Sequence, residues 1–351
     1  MIESLKDLKK KIKFNVFIGD VSKVVGSIYK DIKFNSIWMS KSYDKHLRDR
    51  ANRLRSMGWK VHEVDSLMYT PSEAPTKVFS AYLNHVKVPS KPIKASTSKV
   101  KDMSKLPNVV RASTNLSDIT KDANMDKVGT SIIKGGRSAA LKLLKSRIPL
   151  MKDYVNRDQL GADNKSHLSA YLNFGCISPR EVYWFAKKRL SRESFSVFAR
   201  ELYYRDFFCN ASLDIDLFID TAEVVGAKKW KSMTEAKEVK YREWCKGKTG
   251  VDIVDAGMRQ LLATGYMHNR ARMITASWLI HDIGCDWRFG EEWFARNLTD
   301  YDYAVNRANW IWVAGLYFNR RKNTIRFNPD TQSHKYDKDH SYRDKWLKLD
   351  K

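Results

Sequence analysis

Over residues 1–88, short runs of β-branched and aromatic residues alternate with amphipathic stretches. Phe14–Ile18, Ser36–Met39 and Trp59–Val64 predict strands. Val21–Tyr29 and Tyr43–Ser56 predict helices, with Gly58 as the C-cap expected after the second. Strand and helix alternating at this spacing predict a parallel α/β unit. The period changes from Gly135–Gly136 onward. Leu141, Leu144 and Ile148 share one helical face. Val254, Met258, Leu261 and Leu262 repeat that pattern within Val251–Thr264, which Gly265 ends. Met267–His281 and Glu291–Asn297 also read as helices. Strand patterns are nearly absent after residue 135, so this part is expected to be all-helical. Between the two lies 89–134, where Pro89, Pro92 and Pro107 interrupt a stretch rich in Ser, Thr, Asn and Lys. It reads as a basic interdomain linker. The expected fold is thus α/β plus all-α, divided at 1–88, 89–134 and 135–351.

Composition narrows the function. The chain has 351 residues, with 64 Lys+Arg against 40 Asp+Glu, a formal charge of +24. Such an excess suits a polyanionic partner, although scattered lysines alone would also produce it. No apolar run approaches the roughly 20 residues of a membrane span. The start, MIESLKDLKKK, has acids and no apolar core, unlike a secretory signal. Cys176, Cys209, Cys245 and Cys285 lie more than thirty residues apart, which excludes a local metal knuckle or a C-x-x-C pair. No metal site is expected. These features predict an intracellular protein, of cytoplasm or nucleus. Nucleotide P-loops, dinucleotide fingerprints, zinc-protease helices and nucleophile elbows are all missing.

Three segments carry unusual polar and aromatic residues. In Lys165–Arg180, Ser166 and Ser169 offer hydroxyls near a helix start, suited to phosphate oxygens or simply to capping. In Phe198–Phe208, Glu201 and Arg205 sit at i,i+4, as in an ordinary helix salt bridge, yet aromatic residues surround them. From Trp244 to Trp312, one helix gathers Asn269, Arg270, Arg272 and Met273. Asp300, Asp302 and Asn306 follow in a loop-like stretch beside Trp310 and Trp312. A generic helical bundle requires no such order.

At GMRQLLATGYMHNRARMITASWL, DWRFGEEWF and FNPDTQSHKYD the sequence resembles the photolyase/cryptochrome flavoprotein family. The resemblance covers about 135–351. Residues 1–85 resemble, less closely, the later part of the family's Rossmann-like α/β antenna domain. The family's opening strand and Arg-rich turn are absent, so a shortened, incomplete sheet is expected and an antenna chromophore is doubtful.

The resemblance implies FAD held in the helical domain. Lys165, Ser166, His167, Leu168 and Ser169 would contact its phosphates, with Lys165 substituting a cation for a hydroxyl. Arg205 and Asn269 match flavin-pocket positions, and Phe198, Glu201 and Tyr154 are further candidates there, Tyr154 at a slightly different spacing from the family's tyrosine. Arg272 and Asp300 match a salt bridge over the flavin, and Asp302 a ligand of its ring. Asn306 matches the residue facing flavin N5, where photolyases favour Asn and plant cryptochromes Asp. A neutral amide cannot deliver a proton, whereas a carboxylic acid can. Trp310, Trp287 and Trp230 match the family's electron-transfer chain.

Glu201, Asn269, Met273 and Trp312 match contacts to a cyclobutane pyrimidine dimer, whereas (6-4) enzymes usually carry His at the positions of Asn269 and Met273. Tyr204 stands where a second Trp is usual. Arg270, Arg320, Arg321 and Lys322 are candidate phosphate contacts. The implied activity is light-driven repair of these dimers in UV-damaged DNA, by electron transfer from reduced FAD, in a monomer. The alternatives are a cryptochrome-like blue-light receptor, including the DASH type, and a single-stranded DNA photolyase.

Overall fold

The computed structural model describes residues 1–69, 75–93, 114, 119, 133–214, 233–318 and 326–348. Its first part contains α1 (Ile2–Lys9), α2 (Val21–Asp31), β1 (Ile37–Ser40), α3 (Lys45–Ser56), β2 (Val61–Val64) and α4 (Phe79–Leu83). Strands β1 and β2 pair in parallel, with Ile37 opposite Val61 and Ser40 opposite Val64. Helix α3 connects them, as parallel strands require. Asp20 starts α2 by accepting from the N–H groups of Ser22 and Lys23.

The strand predicted at Phe14–Ile18 does not form. A strand depends on a paired neighbour. Here β1 and β2 pair with each other, and 14–18 has instead a backbone bond from the Thr114 N–H to the Val16 carbonyl. Most of the basic linker, and Trp230, Arg320, Arg321 and Lys322, lie outside the described residues.

The second part is helical. It comprises α5 (Arg137–Arg147), a kinked 3₁₀ stretch at Ile148–Asn156, α6 (Ser169–Asn173), α7 (Pro179–Lys187) and α8 (Arg192–Asp214). Then come α9 (Glu235–Lys246), α10 (Asp252–Thr264), α11 (Asn269–Ser277), α12 (Trp287–Asn297), α13 (Tyr303–Val313), α14 (Pro329–Tyr336) and α15 (Ser341–Leu347). After β2 no further strand appears among the described residues. The sequence places one helix across Met267–His281. The structure starts it at Asn269, because the His268 ring accepts from the Arg270 N–H as an N-cap. It then loosens into a π-turn at Trp278–Asp282.

Two apolar cores hold the helices. One gathers Leu144, Ile148, Met151 and Val182 against Phe198 and Leu202 of α8. The other packs Trp244, Met258, Ile274, Trp287, Phe294 and Trp310. Gly290 permits the closest approach there, since a Cβ on it would lie 2.3 Å from the Trp310 ring.

The N-terminal part is tied to the helices by carboxylates. Glu3 accepts from the Gly135 N–H at 2.6 Å and Asp7 from the Ser138 N–H at 2.9 Å. Both acids of α1 therefore meet the electropositive start of α5. Asp206, fully buried on α8, accepts from the Met68 and Tyr69 N–H groups. The Trp184 indole donates to the Pro89 and Ser90 carbonyls. Among the described residues no helix is long and apolar enough to cross a membrane.

Candidate functional site

A cavity of about 700 Å³ opens between α8, α11, α13 and the 165–169 segment, with α4 at its edge. Its volume falls in the range of small-molecule and cofactor sites, roughly 300–1,000 Å³.

All of Lys165–Ser169 line it. Arg147 fixes this segment through bonds to the Lys165 carbonyl (2.7 Å) and the Asp163 carbonyl (2.9 Å). His167 holds a left-handed backbone, φ 53°, which is strained for a non-glycine residue. Burial lowers its pKa to about 4, so the ring is neutral at pH 7. The Lys165 ammonium, expected beside a diphosphate, donates to the carbonyls of Gln159 and Ala162. Burial brings it down to about 8.

Helix α8 presents Phe198, Glu201, Tyr204 and Arg205 at one-turn spacing, which puts them on one face toward the cavity. Tyr154 meets Phe198 edge to face at 5.3 Å. Glu201 accepts from Arg157 at 2.8 Å. Burial pushes the Glu201 carboxyl up, against the opposing pull of that guanidinium. Arg205 lies 4.0 Å from Asp302, yet its buried Nη1 has no hydrogen-bond partner. Asp302 meanwhile caps α13 by accepting from the Val305 N–H.

Arg272 grips Asp300 with two bonds, at 2.8 and 3.1 Å. Asn269 and Met273 stand one turn apart on α11, with the Asn269 amide 3.9 Å from the Met273 sulfur. Asn306 donates to Glu291, which also accepts from the Tyr301 hydroxyl and lies 3.6 Å from Arg307. Burial raises the Glu291 carboxyl, opposed first by Arg307. Trp310 and Trp312 complete the lining.

Two of the expected residues are held by their neighbours. Arg270, read as a phosphate contact, is paired with Asp158 and lies over the Tyr336 ring, with only 14% of its side chain exposed. The ion pair leaves that guanidinium little freedom. Trp287 is fully buried away from the cavity lining, under the Arg307 guanidinium at 4.9 Å.

Sequence reasoning missed Arg157, Asp158 and Phe79, whose partners are far away along the chain. It also gave Glu291 no role, although Glu291 lies within the quoted DWRFGEEWF. Among the described residues no three His, Cys, Asp or Glu side chains gather to hold a metal ion.

The cavity fits FAD on three counts: its size, the unsatisfied buried Nη1 of Arg205, and the charged and polar side chains in its lining. A match to the FAD binding domain of DNA photolyase covers residues 198–349. The chain is 32% identical over 355 aligned positions to a deoxyribodipyrimidine photo-lyase of Agrobacterium fabrum, covering 92% of this chain and 71% of that one. It is 33% identical to a chloroplastic/mitochondrial cryptochrome DASH of Solanum lycopersicum, over 71% of this chain and 46% of that one. An archaeal photolyase from Sulfolobus tokodaii, solved with two FAD molecules, superposes with a TM-score of 0.81 at 30% identity. That alignment covers 99% of this chain and 77% of the other. Fold and cavity therefore define an FAD-binding flavoprotein. The chain belongs to the photolyase/cryptochrome family.

Proposed function

We propose that this protein repairs cyclobutane pyrimidine dimers in DNA under blue or near-ultraviolet light. Bound reduced FAD supplies the electron that light makes available. The chain's own residues supply the pocket. Lys165–Ser169 would hold the phosphates of FAD, Arg205 would line the flavin pocket, the Arg272–Asp300 pair would lie over the flavin, Asp302 would bind its ring and Asn306 would face the reactive edge of that ring. Trp310, Trp287 and Trp230 would carry electrons inward from the surface. Glu201 offers its carboxyl to the pyrimidine imide, while Trp312 gives a stacking face and Asn269 and Met273 complete the contact. A dimer reaches such a pocket only by leaving the base stack. The positive charge of the chain, +24, would hold the strand through its phosphates.

The observation that carries this reading is continuity: Glu201, Met273 and Trp312 line the same cavity as Arg205, Arg272 and Asn306. Donor and acceptor would then share one space. The test is direct. Purified protein with reduced FAD, given irradiated oligothymidine, should clear dimers in blue light and not in darkness. Persistence of dimers with the flavin spectrum intact would refute the reading. The second reading, a DASH-type preference for single strands, is favoured by Tyr204, which has less stacking area than Trp.

A further inference from the structure

We propose that Phe79 is a substrate-stacking residue, and that it takes over the wall position which Tyr204 would otherwise fill. The proposal rests on the repair reading above and deepens it. Tyr204 and Phe79 lie nearly parallel, with ring centroids 3.4 Å apart and planes 16° apart. One face of Tyr204 is therefore covered by Phe79, and Phe208 lies 6.1 Å from the same ring, tilted by 27°. A base cannot stack on a face already occupied. Both Phe79 and Tyr204 line the cavity, so the aromatic surface left to an incoming base on this side is that of Phe79.

Phe79 is held for the task. It is the first residue of α4 and meets the edge of Phe207 at 5.6 Å. Tyr82, one turn on and fully buried, anchors the helix by donating to the Tyr69 carbonyl and accepting from the Asn210 amide. Two cations, Lys77 and Arg200, line this edge of the cavity. The Arg200 guanidinium lies over the Phe79 ring, 6.0 Å from its centroid, and a base stacking there would displace this side chain toward its own phosphates; Lys77 lies over Tyr317 at 4.8 Å. An aromatic ring with cations nearby is the arrangement that accepts a base with its phosphates alongside. The N-terminal part of the chain thereby supplies part of the substrate site.

The test uses the full FAD-loaded chain and fluorescence anisotropy with a UV-irradiated single-stranded oligothymidine, set against the same strand unirradiated. Phe79→Leu keeps apolar bulk without a π face. It should lose between about 5- and 150-fold in affinity for the irradiated strand, the range of one base–aromatic stack. Phe79→Tyr should stay within about 2-fold of wild type and Phe79→Trp should bind at least as tightly, because both retain a face. Flavin absorbance should be unchanged in all three. If wild type prefers the irradiated strand and Phe79→Leu does so equally, while Trp312→Ala loses the preference, the role of Phe79 is overturned and the repair reading stands. If wild type shows no preference, both are overturned.

Discussion

The Asn306 amide donates to Oε1 of Glu291 across 3.2 Å, and this bond orients the amide. Glu291 accepts at that oxygen, so one N–H of the Asn306 amide is fixed on it and the amide oxygen stays available as an acceptor. That carbonyl can accept from an N–H in the cavity and cannot donate. Glu291→Gln should undo this choice while preserving the packing, because a carboxamide can either accept or donate. Loss of one fixed hydrogen bond, roughly 0.5–1.5 kcal/mol, should speed air oxidation of the reduced protein about 2- to 10-fold. Stopped-flow flavin absorbance would show it. An unchanged rate would mean that Glu291 does not orient the amide.

Asp300 and Arg272 make a different kind of pair. Asp300 is buried and takes both bonds from one guanidinium nitrogen. Asp300→Ala would leave that cation uncompensated, so stability should fall by about 3–5 kcal/mol and FAD should be retained poorly. Urea unfolding and gel-filtered flavin content measure the two effects separately.

Trp287 has no access to the cavity, so substitution there should leave dimer binding alone. Trp287→Phe is expected to block light-driven reduction of oxidised FAD while sparing repair by chemically reduced protein. Photoreduction at the wild-type rate would remove Trp287 from the electron path.

Asp206 makes the junction between the two parts of the chain sensitive to pH. Burial raises its pKa from 3.8 to about 7, against the pull of Arg205 and the two backbone N–H groups. The folded protein thus holds a proton that the unfolded chain releases. The stability contributed by that proton is complete below about pH 4 and is lost as pH rises through 7. Asp206→Asn keeps an oxygen for Met68 and Tyr69 but has nothing to titrate. Its melting temperature should change less between pH 5 and pH 8 than that of wild type. Equal slopes in the two proteins would disprove the assignment.

Much of the cavity was readable because its residues come in local order. Glu201, Tyr204 and Arg205 share one helix face, as do Asn269 and Met273, and helical spacing alone sets them on one side. The pairings across the chain were not readable. Arg157 meets Glu201 and Asp158 meets Arg270 over more than forty intervening residues, and Phe79 reaches Tyr204 from the other part of the molecule. No periodicity encodes such meetings. The missing strand at Phe14–Ile18 has the same origin: its pattern is local, but a strand exists only where a neighbour supplies partners.

The bonds from Glu3 to Gly135 and from Asp7 to Ser138 make the chain a closed loop, shut by carboxylates rather than by covalent links. With Asp206 gripping residues 68 and 69, a protease cut anywhere between 94 and 132 would sever the backbone without separating the fragments. The two pieces should travel together through gel filtration and part only in denaturant. The halves could then be produced as separate polypeptides and recombined.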